Sequence, residues 1–112
     1  QELANAAWAF AKVGYANTAL FASLARVIEK RAEDLNAQEL ANVVWAFVTM
    51  GMQDEPLLKA LAKAVEWRIN DFNVQGLANT AWAFGKAGFA DAGLFSSLAG
   101  CAKWHMGNFY SQ

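Results

Sequence analysis

The chain has 112 residues, of which 56% are hydrophobic and 17% are charged. This balance excludes an intrinsically disordered chain, and no apolar stretch approaches the length of about eighteen residues that a membrane span requires. Nine basic and ten acidic residues give a net charge of −1, so the overall charge does not favour nonspecific binding to nucleic acid or to anionic membranes.

A repeat of 37 residues runs through the whole chain. The pattern Gln-x-Leu-Ala-Asn followed by Trp-Ala-Phe occurs three times without gaps, and eleven of the 37 positions are identical in all copies. We therefore divide the chain into unit 1 (residues 1–37), unit 2 (38–74) and unit 3 (75–111). Gln112 then opens a fourth copy. Repeats of this length are typical of stacked helical arrays.

The first half of each unit is predicted to be a helix, covering about residues 1–13 in unit 1. Leu3, Ala7, Phe10 and Ala11 have the spacing of an apolar stripe on an α-helix. Asn36 and Glu39 form a predicted capping box before the first helix of unit 2. Unit 3 keeps the cap at Asn73, but Gly76 removes the box. Glycine accepts the left-handed conformation that ends helices, and the glycines at the three expected ends are Gly14, Gly51 and Gly88.

A second helix is predicted in the other half of each unit, beginning after a residue that can cap it: Asn17, Asp54 or Asp91. The only proline, Pro56, falls in the first turn, where a missing N–H is harmless. Unit 3 departs from the others at its end, because Tyr110 replaces the closing asparagine.

These elements predict an all-α fold. Two helices joined by short turns cannot bury their apolar faces alone, so stacking of successive units must supply the core. We expect an α-solenoid, a right-handed superhelix of three helix-turn-helix repeats. The high apolar fraction suggests an excerpt of a longer array, in which further repeats cover the ends.

The motif Leu-Ala-Asn-x-x-Trp-Ala-Phe resembles the octotricopeptide-type repeats and the related repeats that accompany RAP domains. The resemblance extends over all 112 residues. It implies an RNA-binding superhelix of a mitochondrion or chloroplast, acting in transcript maturation, stability, translation or ribosome assembly.

The polar side of the first helices carries the candidate RNA-binding residues. Its amides and lysines recur in register as Gln1, Asn5, Lys12, Gln38, Asn42, Thr49, Gln75, Asn79 and Lys86. Amides can pair with base edges, and lysine can meet phosphate. The alternative is structural: the invariant asparagines are clamps to a neighbouring unit. If the protein distinguishes bases, the variable columns Ala6/Val43/Thr80 and Lys12/Thr49/Lys86 are the candidates.

The aromatic residues have two predicted roles. Trp8, Trp45 and Trp82 border the apolar face and are predicted to pack in the core, although a base-stacking role is the alternative. Trp67 and Trp104 lie nearer the polar side of the second helix, so we expect them to be exposed and to mark a protein contact.

Basic residues recur near the end of the second helix, at Arg31, Arg68 and His105. Their favourable placement at a helix C-terminus is one interpretation, and phosphate contacts from Arg31 and Arg68 are the other. Cys101 and His105 share a helical face, but two ligands do not make a metal site. No catalytic group or cofactor motif recurs, so we expect neither an enzyme nor a cofactor.

Two functions remain open at this point. The first is an organellar RNA-binding repeat protein that grips single-stranded or structured RNA along the first helices. The second is a scaffold or assembly subunit that binds proteins through the same surface, through Trp67 and Trp104, or through the ends of the array. The sequence contains neither a secretory signal nor a membrane-spanning segment.

Overall fold

The computed structural model describes residues 2–13 and 17–110. Within them the chain forms six α-helices and two short 3₁₀ helices and contains no strand. The α-helices are α1 (Glu2–Lys12), α2 (Thr18–Arg31), α3 (Ala37–Thr49), α4 (Glu55–Trp67), α5 (Val74–Lys86) and α6 (Ala92–Tyr110). The 3₁₀ helices are Ala32–Asp34 and Ile69–Asp71. The expected all-α class is confirmed.

The helix boundaries follow from local chemistry. Asn36 accepts a hydrogen bond from the Glu39 backbone N–H while the Glu39 side chain accepts one from the Asn36 N–H, so the predicted capping box is present. Asn73 caps α5 through the N–H of Gly76 alone. The second helices begin at Thr18, Glu55 and Ala92, 37 positions apart, each behind its predicted cap.

Glycines end two of the first helices as predicted. Gly51 and Gly88 have φ angles of 73° and 71°, which only glycine adopts without strain. Gly14, the equivalent residue of unit 1, lies outside the described residues.

The helices pack in two layers. In the first-helix layer α1 contacts α3 and α3 contacts α5, while in the second-helix layer α2 contacts α4 and α4 contacts α6. Successive helices within a unit also contact one another, and the molecule measures 48 × 24 × 24 Å. The first-helix layer therefore presents one continuous surface that crosses all three units.

The core lies between the layers and between successive units. Phe21 of α2 packs edge-on against Phe47 of α3, with ring centroids 5.4 Å apart. The phenylalanine of the first helix is inaccessible in units 2 and 3, at Phe47 and Phe84, whereas the equivalent Phe10 of unit 1 is 36% exposed. Stacking thus supplies the burial that a single pair of helices lacks.

Unit 3 ends differently from the other two. Where units 1 and 2 turn into a 3₁₀ helix after the second helix, α6 continues to Tyr110. The asparagine that caps the following helix in units 1 and 2 is replaced in the sequence by Tyr110, a residue type that does not supply such a cap. His105 consequently has a further turn of helix after it, whereas Arg31 ends α2 and Arg68 follows α4.

No helix in the described ranges is both long and apolar enough to cross a membrane.

Candidate nucleic-acid interface

The first-helix layer carries the predicted amides and lysines on its outer surface. Asn42 is half-buried, and the others that the structure describes are exposed: Asn5, Lys12, Gln38, Thr49, Gln75, Asn79 and Lys86. Gln1 lies outside the described residues. We call the polar residues Asn5, Gln38, Asn42, Gln75 and Asn79 the amide ladder. The ladder crosses the three helices because each unit repeats the same face toward solvent.

A groove of about 570 Å³ crosses this layer. It brings together five of the predicted residues, which are Lys12, Gln38, Asn42, Gln75 and Asn79. Trp8, Trp45 and residues 71–73 complete its principal walls. The remaining candidates Asn5, Thr49 and Lys86 lie on the same layer but do not line the groove.

The helix caps fix where the amides point. Because Asn36 and Asn73 set the first turns of α3 and α5, Gln38 and Gln75 both fall one residue inside the helix. Asn42 and Asn79 follow four residues later, on the same helical face. Two caps of the same kind thus place two equivalent pairs of amides along the groove.

The side chains of the amide ladder are unpaired among the described residues. None of its five side chains bonds another residue in the described part of the chain. A clamp to the neighbouring unit, the structural alternative for the invariant asparagines, would require such a bond. Each amide instead keeps its donors and its acceptor oxygen available to a ligand.

Two lysines lie over tryptophan rings on this layer. The Nζ atom of Lys12 is 5.4 Å from the Trp8 ring centroid, and that of Lys86 is 5.3 Å from the Trp82 centroid. Each pair spans one helical turn, the i, i+4 spacing at which side chains meet. At exposed sites such a cation–π contact contributes about 0.5–1 kcal/mol.

The two tryptophans are not core residues. Trp8 is 39% exposed and Trp82 is 53% exposed, and only Trp45 is half-buried. The predicted packing role is therefore wrong for Trp8 and Trp82, which are exposed and have a lysine over the ring. The signal that could have found these pairs is the Trp-x-x-x-Lys spacing in units 1 and 3, which unit 2 breaks with Thr49.

One of the two candidate base-reading columns is inaccessible in units 2 and 3. Val43 and Thr80 are 0% and 1% exposed, because α3 and α5 each pack against a neighbouring first helix on that side. The proposed role of this column in distinguishing bases is wrong for both residues. The hydroxyl of Thr80 is also buried without a hydrogen-bond partner among the described residues.

The basic column of the second helices contacts the preceding unit. Arg68 Nη2 donates a hydrogen bond to the Glu33 carbonyl oxygen at 3.0 Å, and His105 Nε2 lies 3.1 Å from the Phe72 carbonyl oxygen. Arg68 also lies 4.0 Å from the carboxylate of Asp71. Arg31 is exposed and has no such contact among the described residues. The column therefore serves inter-unit packing at Arg68 and His105.

The second-helix layer exposes the other pair of tryptophans. Trp67 and Trp104 are 76% and 64% exposed, as predicted. Beside Trp104, the Cys101 thiol donates to the Ile69 carbonyl oxygen at 3.4 Å. Cys101 thus packs against the turn of unit 2, and no group of three or more metal-ligating side chains occurs among the described residues.

Comparison with known proteins identifies a family. The model of the family described as RESC6, RNA-editing substrate-binding complex 6 protein, matches residues 1–108. No curated protein matches the chain. The match overturns the resemblance to octotricopeptide-type and RAP-associated repeats, together with the chloroplast location that it implied. The shared motif misled because several of its residues, including Leu77, Ala83 and Phe84, are buried and serve helix packing.

Proposed function

Because this chain belongs to the RESC6 family of RNA-editing substrate-binding complex proteins, we propose that it is a non-catalytic component of such a complex and contacts RNA along its first-helix layer. The observation that carries the proposal is the amide ladder, four of whose five side chains line one groove without a hydrogen-bond partner among the described residues. Amides of this kind bond the edges of unstacked bases and the sugar hydroxyls of RNA.

We further propose that the two layers form a right-handed α-solenoid of three 37-residue units. Two facts support this arrangement: equivalent helices pack in series within each layer, and the molecule is twice as long as it is wide. In a solenoid each unit adds the same surface patch, so an RNA strand would meet similar groups at each step. An organellar location was expected from the family resemblance and stays a prediction.

The charge of the surface limits how RNA is held. Lys12 and Lys86 are the basic residues among the predicted contacts, and Asp71 adds a carboxylate to the groove wall. Arg68 lies close to Asp71 and offsets part of its charge. Binding must therefore depend more on hydrogen bonds and on aromatic contacts than on phosphate neutralisation.

The test is a change in RNA affinity after removal of the amides. The variant Gln38→Ala/Asn42→Ala/Asn79→Ala removes three groove side chains that contribute no internal hydrogen bond, so the fold should persist. We expect a loss of RNA affinity of at least tenfold, since each amide contact contributes on the order of 0.5–1.5 kcal/mol. Asn70→Ala, an exposed amide on the other side of the molecule, is the matched control. Equal affinities of the two variants would exclude the groove as the RNA site.

A second function, protein scaffolding, is favoured by Trp67 and Trp104. These exposed rings occupy equivalent positions of α4 and α6, 37 residues apart, on the layer opposite the amide ladder. Exposed large aromatic residues are enriched at protein interfaces. The variant Trp67→Ser/Trp104→Ser should keep its RNA affinity and lose its place in the reconstituted complex. Normal incorporation of this variant would reject the scaffold surface.

A further inference from the structure

We propose that the pairs Trp8–Lys12 and Trp82–Lys86 are two nucleotide subsites, at which a base of single-stranded RNA stacks on the indole while the lysine meets a phosphate. The inference rests on the proposed function and specifies how the first-helix layer holds its ligand. It assigns a role to two tryptophans that sequence reasoning placed in the core.

The geometry of the pairs supplies the first argument. Each indole is exposed, at 39% for Trp8 and 53% for Trp82, and each has an ammonium 5.3–5.4 Å from its ring centroid. An exposed indole offers a flat surface on which a base of a single strand can stack. The lysine, one helical turn away, keeps the ring in a defined orientation before a ligand arrives.

The position of the pairs supplies the second argument. Trp8 and Lys12 both line the groove that contains Gln38, Asn42 and Asn79. A base stacked on Trp8 would therefore present its edge to side chains that have no hydrogen-bond partner in the described part of the chain. Trp82 and Lys86 repeat the same arrangement on α5, two units further along the layer.

A base can replace the lysine over the ring. Stacking of a base on an aromatic side chain contributes more to affinity than a solvent-exposed cation–π contact does. The displaced ammonium stays tethered beside the base and can bond a neighbouring phosphate, which an ammonium does well as a point charge. Without RNA, the lysine of each subsite therefore lies over the ring face on which a base would stack.

The chemistry selects single strands and is indifferent to their sequence. Bases in an A-form duplex are stacked on one another and do not reach a protein ring, whereas unpaired bases do. Every base has a π face, so stacking tolerates any sequence. The amide ladder repeats the same residues in each unit, so it adds little discrimination between bases.

Unit 2 interrupts the series. Trp45 is half-buried and Thr49 stands where the other units have lysine, so neither the open ring nor the cation is repeated there. The proposal is thus limited to two subsites that flank the half-buried Trp45.

The exposed tryptophans of the second-helix layer provide the contrast. Trp67 and Trp104 are more exposed than Trp8, but among the described residues no lysine or arginine lies over either ring. They also face away from the amide ladder. An RNA strand held on the first-helix layer would leave both of them untouched.

The experiment measures binding of a fluorescently labelled single-stranded oligouridylate by anisotropy, with the 112-residue chain and its variants. Trp8→Ala and Trp82→Ala should each weaken binding by about tenfold. Trp8→Phe and Trp82→Phe keep a stacking ring and should recover most of the affinity. Trp67→Ala and Trp104→Ala, which remove the same residue type from more exposed positions, should bind like the wild type. A duplex RNA of the same length should bind much more weakly.

The outcomes separate this inference from the proposed function. If the Trp8 and Trp82 variants bind normally while loss of the amides abolishes binding, stacking is rejected and RNA binding stands. If the alanine and phenylalanine variants lose affinity equally, the rings do not act by stacking and the inference fails. If the wild type binds neither single-stranded nor duplex RNA, both proposals fail. Circular dichroism of each variant establishes that it is folded.

Discussion

Arg68 reaches from the end of α4 to the backbone carbonyl oxygen of Glu33, 35 residues earlier, and donates a hydrogen bond of 3.0 Å. His105 contacts the Phe72 carbonyl oxygen in the same manner, 33 residues earlier. Each side chain satisfies a carbonyl of the turn that connects the preceding unit to the next helix. This column of the repeat therefore fastens one unit to the next and complements the apolar core.

Removal of the Arg68 side chain should weaken the stack. We expect Arg68→Ala to lower the free energy of unfolding by about 1 kcal/mol, because a partly exposed hydrogen bond from a charged donor is lost. Arg31→Ala removes the same side chain where it has no partner among the described residues, and it should have little effect. Urea denaturation of both variants provides the comparison. Equal destabilisation would contradict the fastening role of Arg68.

The local features of the fold were predictable from sequence, and the tertiary ones were not. The Asn36–Glu39 box and the turn at Gly51 depend on residues within one helical turn, so their signals are complete in the sequence. The exposure of Trp82 and the burial of Thr80 depend on which side of α5 meets α3. Both residues lie at the boundary between the apolar and polar faces of α5. Helical periodicity does not predict which residues at that boundary are buried by the neighbouring helix.

The candidate site also has features that the sequence predicted and features that it did not. Gln38 and Asn42 recur as Gln75 and Asn79, and this repetition predicted a row of amides. In the structure all four side chains line one groove. The hydrogen bond from Arg68 to the Glu33 carbonyl oxygen of another unit could not be predicted from the sequence, because every residue type carries a backbone carbonyl acceptor. Phosphate contact and inter-unit bonding therefore looked alike at that position.

The missing capping box of unit 3 can be restored. In α3 Glu39 bonds the Asn36 N–H, whereas α5 has Gly76 at the equivalent position. Gly76→Glu should raise the free energy of unfolding by about 1 kcal/mol, from helix propensity and from the added bond. A Cβ atom there would lie 3.2 Å from the Asn73 Oδ1 atom and 3.3 Å from the Phe72 ring, so these neighbours must shift by a few tenths of an ångström to accept it.

The matched control for this substitution is Gly76→Ala, which adds the propensity without the carboxylate. Thermal unfolding of the two variants separates the contributions, because only the glutamate variant can complete the box. A glutamate variant no more stable than the alanine variant would show that the box does not form in unit 3.

The buried hydroxyl of Thr80 should lower the free energy of unfolding. Thr80 is 1% exposed and its Oγ1 atom has no hydrogen-bond partner among the described residues. A valine of nearly the same shape occupies the equivalent, fully buried position 43 in unit 2. We therefore expect Thr80→Val to raise the free energy of unfolding by about 1–2 kcal/mol. The reverse change, Val43→Thr, should destabilise by a similar amount, and a neutral result for both would indicate that the hydroxyl is satisfied.

RNA binding should depend only weakly on salt. Two lysines, Lys12 and Lys86, are available for phosphate contact on the first-helix layer. For single strands each neutralised phosphate changes the slope of log K against log salt by about −0.7, so we expect a slope of about −1.4. Lys12→Gln and Lys86→Gln should each flatten it by about half. Lys63→Gln, on the other layer, is the control, and a slope several times steeper would require contacts beyond this surface.

Introduction of a lysine at position 49 should create a third pair. Thr49 is exposed and follows Trp45 by four residues, the same spacing that places Lys12 over Trp8 and Lys86 over Trp82. Thr49→Lys should steepen the salt slope by about −0.7 and tighten binding to single-stranded RNA at low salt. Thr49→Gln adds length without charge and should change neither quantity. If Thr49→Lys leaves the slope unchanged, the RNA strand does not pass over the middle of the first-helix layer.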